Sequence, residues 1–384
     1  MKIEQLTEIA PIINERVISF DGGKPYLSTG GLDGNKYETV DVKFNNRPSR
    51  ADLTLLPNDV FMARMQYTPK IFQATEEESD LIISTGFVVF RPIEGRLFPR
   101  YLYHYLKSNK LQFEKNKRCS GATQKAINNS KINELEIPVP SYGDQTRIAE
   151  ILDNADALRQ KRKESIKLLD DFLRSTFLDM FGDSFLNDKN WPTINLKDSC
   201  LEVVDCPHST PKYSGVNEIY PCIRTTEIRD GHLDWSSMKY VDELQYTERI
   251  KRLKPLPGDI IYGREGSFGD AIVIPKNEKM CLGQRVMLFR PNPEIYHNLF
   301  FWCLIRSKGI FHMALQKNNG ATVGHVNVGD IKLFSLIKPP IELQIKFADI
   351  VKQVEKLKAK YKESEKELNN LFGSLMQRAF KGEL

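Results

Sequence analysis

From Phe347 to Leu375 the apolar positions advance by three and four residues in turn. They are Phe347, Ile350, Val354, Leu357, Tyr361, Leu368, Leu371 and Leu375, with Ser364 filling the one remaining place. Lys and Glu occupy the other faces, so the stripe predicts a long helix with a seam for a partner helix. A second stretch has the same spacing: Ile148, Ile151, Ala155, Leu158, Leu169 and Phe172, with Arg162, Ser165 and Thr176 at the weaker places. Leu152, Ile166 and Leu173 widen that stripe. The pattern predicts long helices over 144–183 and 343–384. They would pair with each other, antiparallel if a pseudo-two-fold axis relates the two halves. The span 148–176 is roughly 42 Å of helix at about 1.5 Å per residue.

The remaining segments, 1–143 and 184–342, carry shorter signals. Leu81–Phe90 and Arg285–Phe289 are rich in β-branched and aromatic residues and predict strands. Turn residues are dense at Ser28-Thr29-Gly30-Gly31-Leu32-Asp33-Gly34 and Gly263-Arg264-Glu265-Gly266-Ser267-Phe268-Gly269. The fold class expected is α/β (α+β): two globular mixed α/β domains separated by two long antiparallel coiled-coil helices.

That symmetry is written in the residues. At an offset of 199, the segments starting at Gly121-Ala122-Thr123 and Gly320-Ala321-Thr322 share 18 identities over 61 positions. Random pairing would give about four. The matches include Asn128/Asn327, Pro140/Pro339, Gln145/Gln344, Lys163-Glu164-Ser165/Lys362-Glu363-Ser364 and, at the end, Phe181/Phe380. Upstream, Leu56-Pro57-Asn58-Asp59-Val60 answers to Leu256-Pro257-Gly258-Asp259-Ile260, Arg64 to Arg264, and Phe90-Arg91-Pro92 to Phe289-Arg290-Pro291. An aromatic, helix-like stretch follows each, Tyr101–Leu106 and Phe300–Ile305. A unit of this size repeated once is a duplicated domain and not a solenoid.

Length agrees, since 384 residues supply two cores. The net charge of +5 permits an acidic partner such as nucleic acid without establishing one. The longest apolar run, Leu299–Ile305, falls far short of the roughly 20 residues that span a bilayer, and the N-terminus lacks the apolar stretch of a signal peptide. Six cysteines are too sparse for a disulfide scaffold. A soluble cytoplasmic protein without a membrane partner is expected.

Catalytic motifs are absent. No Gly-x4-Gly-Lys-Ser/Thr phosphate loop occurs, and the loop 263–269 lacks its lysine. The only Pro-Pro, in Lys338-Pro339-Pro340-Ile341, lacks the preceding Asn or Asp of an amino-methyltransferase loop. Asp259 and Glu265 could be a metal-binding nuclease pair, but the first half has Met65 where the second has Glu265. Cys200, Cys206 and His208 lack a second ligand pair, and His208 and His325 lack a nucleophile partner. Catalytic residues and metal ligands are therefore expected to be none.

The repeated order of variable region, Gly-Ala-Thr loop, proline, Gln-x-x-Ile-Ala and long helix resembles the specificity subunit of type I restriction-modification enzymes. The residues that carry the resemblance are Ser120-Gly121-Ala122-Thr123, Ile137-Pro138-Val139-Pro140, Gln145-Thr146-Arg147-Ile148-Ala149 and Phe177–Phe181. In the second copy they are Asn319-Gly320-Ala321-Thr322, Pro339-Pro340, Gln344 and Phe347-Ala348-Asp349-Ile350. Phe347 stands where the family usually has an aliphatic residue. The resemblance implies two target recognition domains, 1–143 and 184–342, with spacer helices at 144–183 and 343–384. Each domain would read half of a bipartite target in double-stranded DNA, and the helices would set the spacing between the halves. It also implies two methyltransferase subunits and restriction (motor) subunits as partners. S-adenosylmethionine, ATP and Mg would belong to those partners, with no cofactor in this chain.

Base edges are read by Arg or Lys on guanine, Asn or Gln on adenine, and apolar contact with the thymine methyl. On that basis the candidates in the first domain are Arg47, Arg50, Arg64, Gln66, Lys70, Arg118, Thr123 and Lys125. In the second they are Lys212, Arg224, Thr225, Arg264, Ser267, Lys317, Thr322 and His325. Two other functions fit parts of the pattern: a specificity subunit serving a fused type II-like methyltransferase-nuclease, and a coiled-coil scaffold without sequence specificity.

Overall fold

The strand Val60–Ala63 buries both its faces, and this sets the layering of the first half. Val60 and Met62 point into one apolar cluster with Val88, Phe90, Tyr101, Leu102 and Leu106. Phe61 and Ala63 point into another with Leu27, Leu53, Ile83 and Phe87. The period-two alternation thus feeds a helix-covered face on one side and a second sheet on the other.

The computed structural model describes residues 1–214, 220–265, 268–276, 278–317 and 326–384. Met1–Glu164 together with Lys362–Leu384 form one unit, and Ser165–Tyr361 a second. In the first unit, one antiparallel sheet runs in the order Ile12–Ile13, Phe87–Phe90, Val60–Ala63, Ile71–Gln73. The second runs Val40–Val42, Lys24–Leu27, Ile82–Ser84, Ala51–Leu53, with a parallel pairing between its two middle strands. The predicted strand Leu81–Phe90 is therefore two strands in different sheets, Ile82–Ser84 and Phe87–Phe90, divided at Thr85-Gly86. A side chain at Gly86 would meet Thr29 Oγ1 at 3.1 Å, so the turn is a tight one. The aromatic stretch forms the helix Pro99–Lys107, followed by the helix Asn109–Lys117.

The second unit repeats the plan. Cys200–Asp205, Val286–Pro291, Ile260–Gly263 and Ala271–Val273 make one antiparallel sheet, and Lys239–Val241, Tyr220–Ile223 and Cys281–Leu282 another. Ile260 and Tyr262 face the aromatic cluster around Phe300 and Phe301, while Ile261 faces Ile223 and Leu282. Its helices include Glu243–Arg249, Asn298–Ile305 and Lys308–Lys317. Mixed α/β domains are thus what both halves are.

The two long helices are Tyr142–Phe181 and Ile341–Ala379, and the unit boundary falls within each. Inside the first unit, Arg159 Nε donates to Asn369 Oδ1 at 2.7 Å and its guanidinium lies over the Phe372 ring. Earlier in the same helix, Ile148 and Leu152 share a cluster with Ala379 and Phe380. Inside the second unit, Lys358 Nζ donates to Asp170 Oδ1 at 2.7 Å, and the Phe347 ring meets those of Phe177 and Phe181 at 5.6 and 5.4 Å. In each unit a later residue of one helix meets an earlier residue of the other, so the pairing is antiparallel, as predicted.

The seam itself differs from the predicted one. Phe347 and Val354 are buried, as is Ile148, while Ile151, Ala155, Leu169, Ile350, Leu357, Tyr361, Leu368 and Leu375 are partly covered. Leu158, Phe172 and Leu371 instead point outward, 54%, 51% and 51% exposed. Leu152, Leu173, Phe177 and Phe181 take the inner places. A strict three-four alternation describes two helices supercoiled on each other, whereas a straight helix drifts by about 20° per heptad from that repeat. Here each end of the helix packs on a globular domain, and the inner residues fall at steps of four, 148/152 and 173/177/181.

Candidate nucleic-acid interface

In the first unit the segment following Val60–Ala63 draws several loops onto one face. Arg64 N–H donates to Gly86 O and Arg64 O accepts from Ile127 N, both at 2.9 Å. Its guanidinium donates to Phe87 O (2.9 Å), Ile127 O (3.4 Å) and Asn129 Oδ1 (2.8 Å). Burial lowers the Arg64 pKa from its ordinary value. Two residues on, Gln66 N–H donates to Lys125 O and its side-chain amide to Asn116 O, each 2.9 Å. Lys70 Nζ donates to Thr29 O (2.8 Å) and Gly30 O (3.1 Å). The loops 28–30, 84–87 and 116–127 therefore converge on 64–70.

The first Gly-Ala-Thr motif lies on this face. Gly121 has φ +137°, and a Cβ there would come within 2.6 Å of Gln124 O. Only glycine fits that turn, which is the physical reason for the glycine of the motif. Thr123 and Lys125 are exposed. So is Arg50, whose carbonyl accepts from Thr85 N at 2.8 Å, beside the 84–87 turn.

Other predicted readers are committed inside the domain. Arg47 donates to Ala51 O, Phe44 O and Asp52 Oδ1 and lies over the Phe44 ring. Arg118 pairs with Glu114 and Glu134. For these two, as for Arg64, Gln66 and Lys70, reaching a base would require breaking the bonds that shape the face.

The second unit builds a comparable junction with different chemistry. Arg264 N–H donates to Arg285 O at 3.0 Å, matching Arg64 with Gly86. Its guanidinium is buried against the Asp205 carboxylate at 3.2 Å, with Glu265 at 3.7 Å. Arg224 is gripped by Glu227 and lies 5.3 Å from the Tyr213 ring, and Thr225 is buried. Lys212 is exposed. Ser267, Thr322 and His325 lie outside the described residues, as does the side chain of Lys317.

The carboxylates considered for metal chemistry are also spoken for. Asp259 is held by Arg290, and Glu265 pairs with Arg285. Among the described residues no three His, Cys, Asp or Glu side chains converge to hold a metal ion.

Two buried cations support these loops, and neither has a repeat partner that would have revealed it. Lys115 Nζ donates to Ala63 O, Met65 O and Thr68 O at 3.4, 3.2 and 3.0 Å. Desolvation brings its pKa down to about 8. In the second unit the buried Arg249 donates to Leu282 O (2.5 Å), Gly283 O (2.9 Å), Ser209 O (3.2 Å) and Pro207 O (3.4 Å). Each fastens main-chain carbonyls of the loops at the candidate face. Position 314, the repeat equivalent of Lys115, is alanine.

The comparisons with known proteins bear on both halves. Residues 1–168 and 189–370 each match the type I restriction modification DNA specificity domain. The chain is 24% identical over 406 residues to the type I restriction enzyme EcoKI specificity subunit of Escherichia coli (strain K12), covering 96% of this chain and 85% of that protein. It is also 24% identical to the StySPI specificity subunit of Salmonella potsdam, covering 94% and 82%. A type I R-M system structure superposes with a TM-score of 0.60 at 19% identity, covering 100% of this chain and 98% of that one. The S subunit of a type I restriction-modification system from M. genitalium gives 0.59 at 16% identity, covering 99% and 96%. With both halves matched and the fold shared over its whole length, the chain belongs to the family of type I restriction-modification DNA specificity proteins.

Proposed function

We propose that this chain chooses the DNA sequence on which a type I restriction-modification complex acts, each domain reading one half of a bipartite target. The observation that carries this is the double match, one DNA specificity domain in each half of the chain. Loop convergence supports it in physical terms. In each domain a strand end and a buried cation fix several loops, joined in the first by a glycine turn, as a site that must recognise a shaped surface requires. The double match also disfavours a scaffold without DNA specificity, and each relative named above serves a type I enzyme, not a fused type II-like one.

The chain is the non-catalytic member. Its partners in this proposal are double-stranded DNA, two methyltransferase subunits and the restriction subunits. Those subunits bring S-adenosylmethionine for adenine N6-methylation and ATP with Mg for translocation and cleavage. Within the first domain the exposed Arg50, Thr123 and Lys125 are the side chains placed to touch DNA, and Arg64, Gln66, Lys70 and Arg118 shape the loops. In the second domain Lys212 takes the exposed role, and Arg224, Thr225 and Arg264 the shaping one. No helix among the described residues is long and apolar enough to cross a membrane.

Co-expression with the cognate methyltransferase, followed by genome-wide mapping of modified adenines, tests the proposal. One bipartite motif is the expected result. No methylation attributable to this chain, or a continuous palindrome, would sink it.

A further inference from the structure

Tyr67 stands at the centre of the loop that Lys115 and Asn116 hold from beneath. The residue is 78% exposed, although tyrosine is a residue whose apolar body normally finds cover. Among the described residues its side chain makes no hydrogen bond, ring contact or cation contact. Its backbone lies in the left-handed region at φ +54°, which is costly for a bulky L-residue and recurs where function constrains the chain.

The surroundings keep it there. Tyr67 N–H donates to Asn116 Oδ1 at 2.9 Å, while Asn116 O accepts the Gln66 amide. On either side of Tyr67, Met65 O and Thr68 O accept from the Lys115 ammonium. That ammonium is fully buried, and no carboxylate among the described residues pairs with it. Burying an unpaired cation opposes folding, so it persists only where the geometry it enforces compensates. The Gln66–Lys125 hydrogen bond brings the exposed Lys125 and Thr123 of the Gly-Ala-Thr loop alongside.

A bare ring on a strained and braced loop, next to an exposed lysine, is a preorganised contact waiting for a flat apolar surface. We propose that Tyr67 stacks on a nucleobase of the first half-site, with Lys125 beside it facing the phosphate backbone. The contact rests on the DNA-reading function proposed above and assigns one residue within it. In a duplex the ring reaches a base face by partly unstacking one base step, as apolar wedges do, and it makes no base-edge hydrogen bond, so Tyr67 would set the tightness of the first half-site and leave its sequence unchanged.

The experiment uses the full chain in complex with its methyltransferase. First the wild-type complex is mapped for modified adenines; absence of a bipartite motif there would remove the functional proposal itself, not the Tyr67 contact alone. Duplexes carrying the mapped motif, with 2-aminopurine placed in turn at the purines of each half-site, are then titrated with wild type, Tyr67→Ala and Tyr67→Phe. In one half-site only, the ring should quench 2-aminopurine at one position. Tyr67→Ala should abolish that quenching and weaken binding roughly tenfold, the scale of removing one base–aromatic stack. Tyr67→Phe should restore both, and the methylated motif and the thermal midpoint of the chain should not change. Wild-type binding by Tyr67→Ala, quenching indifferent to Tyr67 at every position, or a lowered thermal midpoint that accounts for the lost binding would each overturn the proposal.

Discussion

Arg91 closes on Asp59 through two parallel hydrogen bonds, Nε to Oδ1 at 2.8 Å and Nη2 to Oδ2 at 2.9 Å. Asp59 Oδ2 also accepts from Leu56 N–H at 2.9 Å, so one carboxylate closes the Leu-Pro-x-Asp turn and anchors the following strand pair. The second domain repeats this with Arg290 and Asp259 at 2.8 and 2.7 Å and with Leu256 N–H at 2.8 Å. Both carboxylates are buried. Asp59→Ala should therefore destabilise the first domain by about 3 kcal/mol, the lower end for breaking a buried pair, because Arg91 keeps some solvent and a Glu15 contact. Chemical denaturation checks it; a loss below about 1 kcal/mol would show that the pair only decorates the turn.

The buried glutamines at the start of the long helices invite a parallel test. Gln145 accepts from Phe98 N and donates to Arg96 O and Pro140 O, and Gln344 accepts from His297 N and donates to Ile295 O and Pro339 O. Replacing either with leucine leaves three main-chain groups without these partners, at a cost of roughly 2–4 kcal/mol. The two variants should fall by similar amounts in thermal unfolding. Opposite behaviour would mean that the equivalence is one of sequence only.

Phe380 provides a test of the unit boundaries. Its ring lies 5.4 Å from Tyr101 and 5.0 Å from Tyr105 within the first unit. Phe380→Ala should cost about 3–5 kcal/mol there. Trp191, Trp235 and Trp302 all lie in the second unit, so tryptophan fluorescence reports that unit alone. The expected result is an early transition in far-UV circular dichroism that tryptophan fluorescence does not follow. A simultaneous shift in both signals would contradict the division.

Acid should loosen the first unit through Asp153. Burial alone would raise its pKa, but hydrogen bonds and charge from His104 and Arg100 prevail and bring it down to about 2. Its folded value lies below the ordinary carboxylate value, so the stabilisation is fully present above about pH 4. It fades as pH falls toward 2. In Asp153→Asn the pH dependence of unfolding between about 4 and 2 should flatten; an unchanged slope would assign that acid sensitivity elsewhere.

Spacer length gives a test of function. Seven residues added after Ser165, with seven added after Tyr361 to keep the antiparallel register, lengthen each helix by about 10 Å, close to three base pairs. Mapping of methylated adenines should show a longer gap between unchanged half-sites. A changed half-site sequence would refute the idea that helix length sets the gap.

Much of the architecture could be read from the residues because duplication amplifies faint signals. Leu56–Val60 and Leu256–Ile260 gain meaning only by recurring. The sequence nonetheless could not show that Asp59 reaches Arg91, since that bond crosses a whole strand pair. The seam was legible as helical period but not as facing: Leu158 and Phe172 fit a coiled coil, yet the domains at the helix ends draw in Leu152 and Phe177. For the site, repetition pointed to Arg64 and Arg264, which prove to be loop anchors. Lys115, Asn116, Tyr67 and Arg249 are not legible in the sequence because each belongs to one half alone and their roles depend on long-range main-chain contacts.

The sharing of the final helix has a consequence for biosynthesis. Lys362–Leu384 completes the first unit, where Ala379 and Phe380 fill its core and Gly382 lies near Met1. Ser165–Tyr361 contains everything the second unit needs. The second unit is therefore built from one continuous stretch of chain, whereas the first joins two stretches separated by the whole of the second. The domain encoded first stays unfinished until Lys362–Leu384 reach it, so its folding is tied to a segment encoded after the other domain.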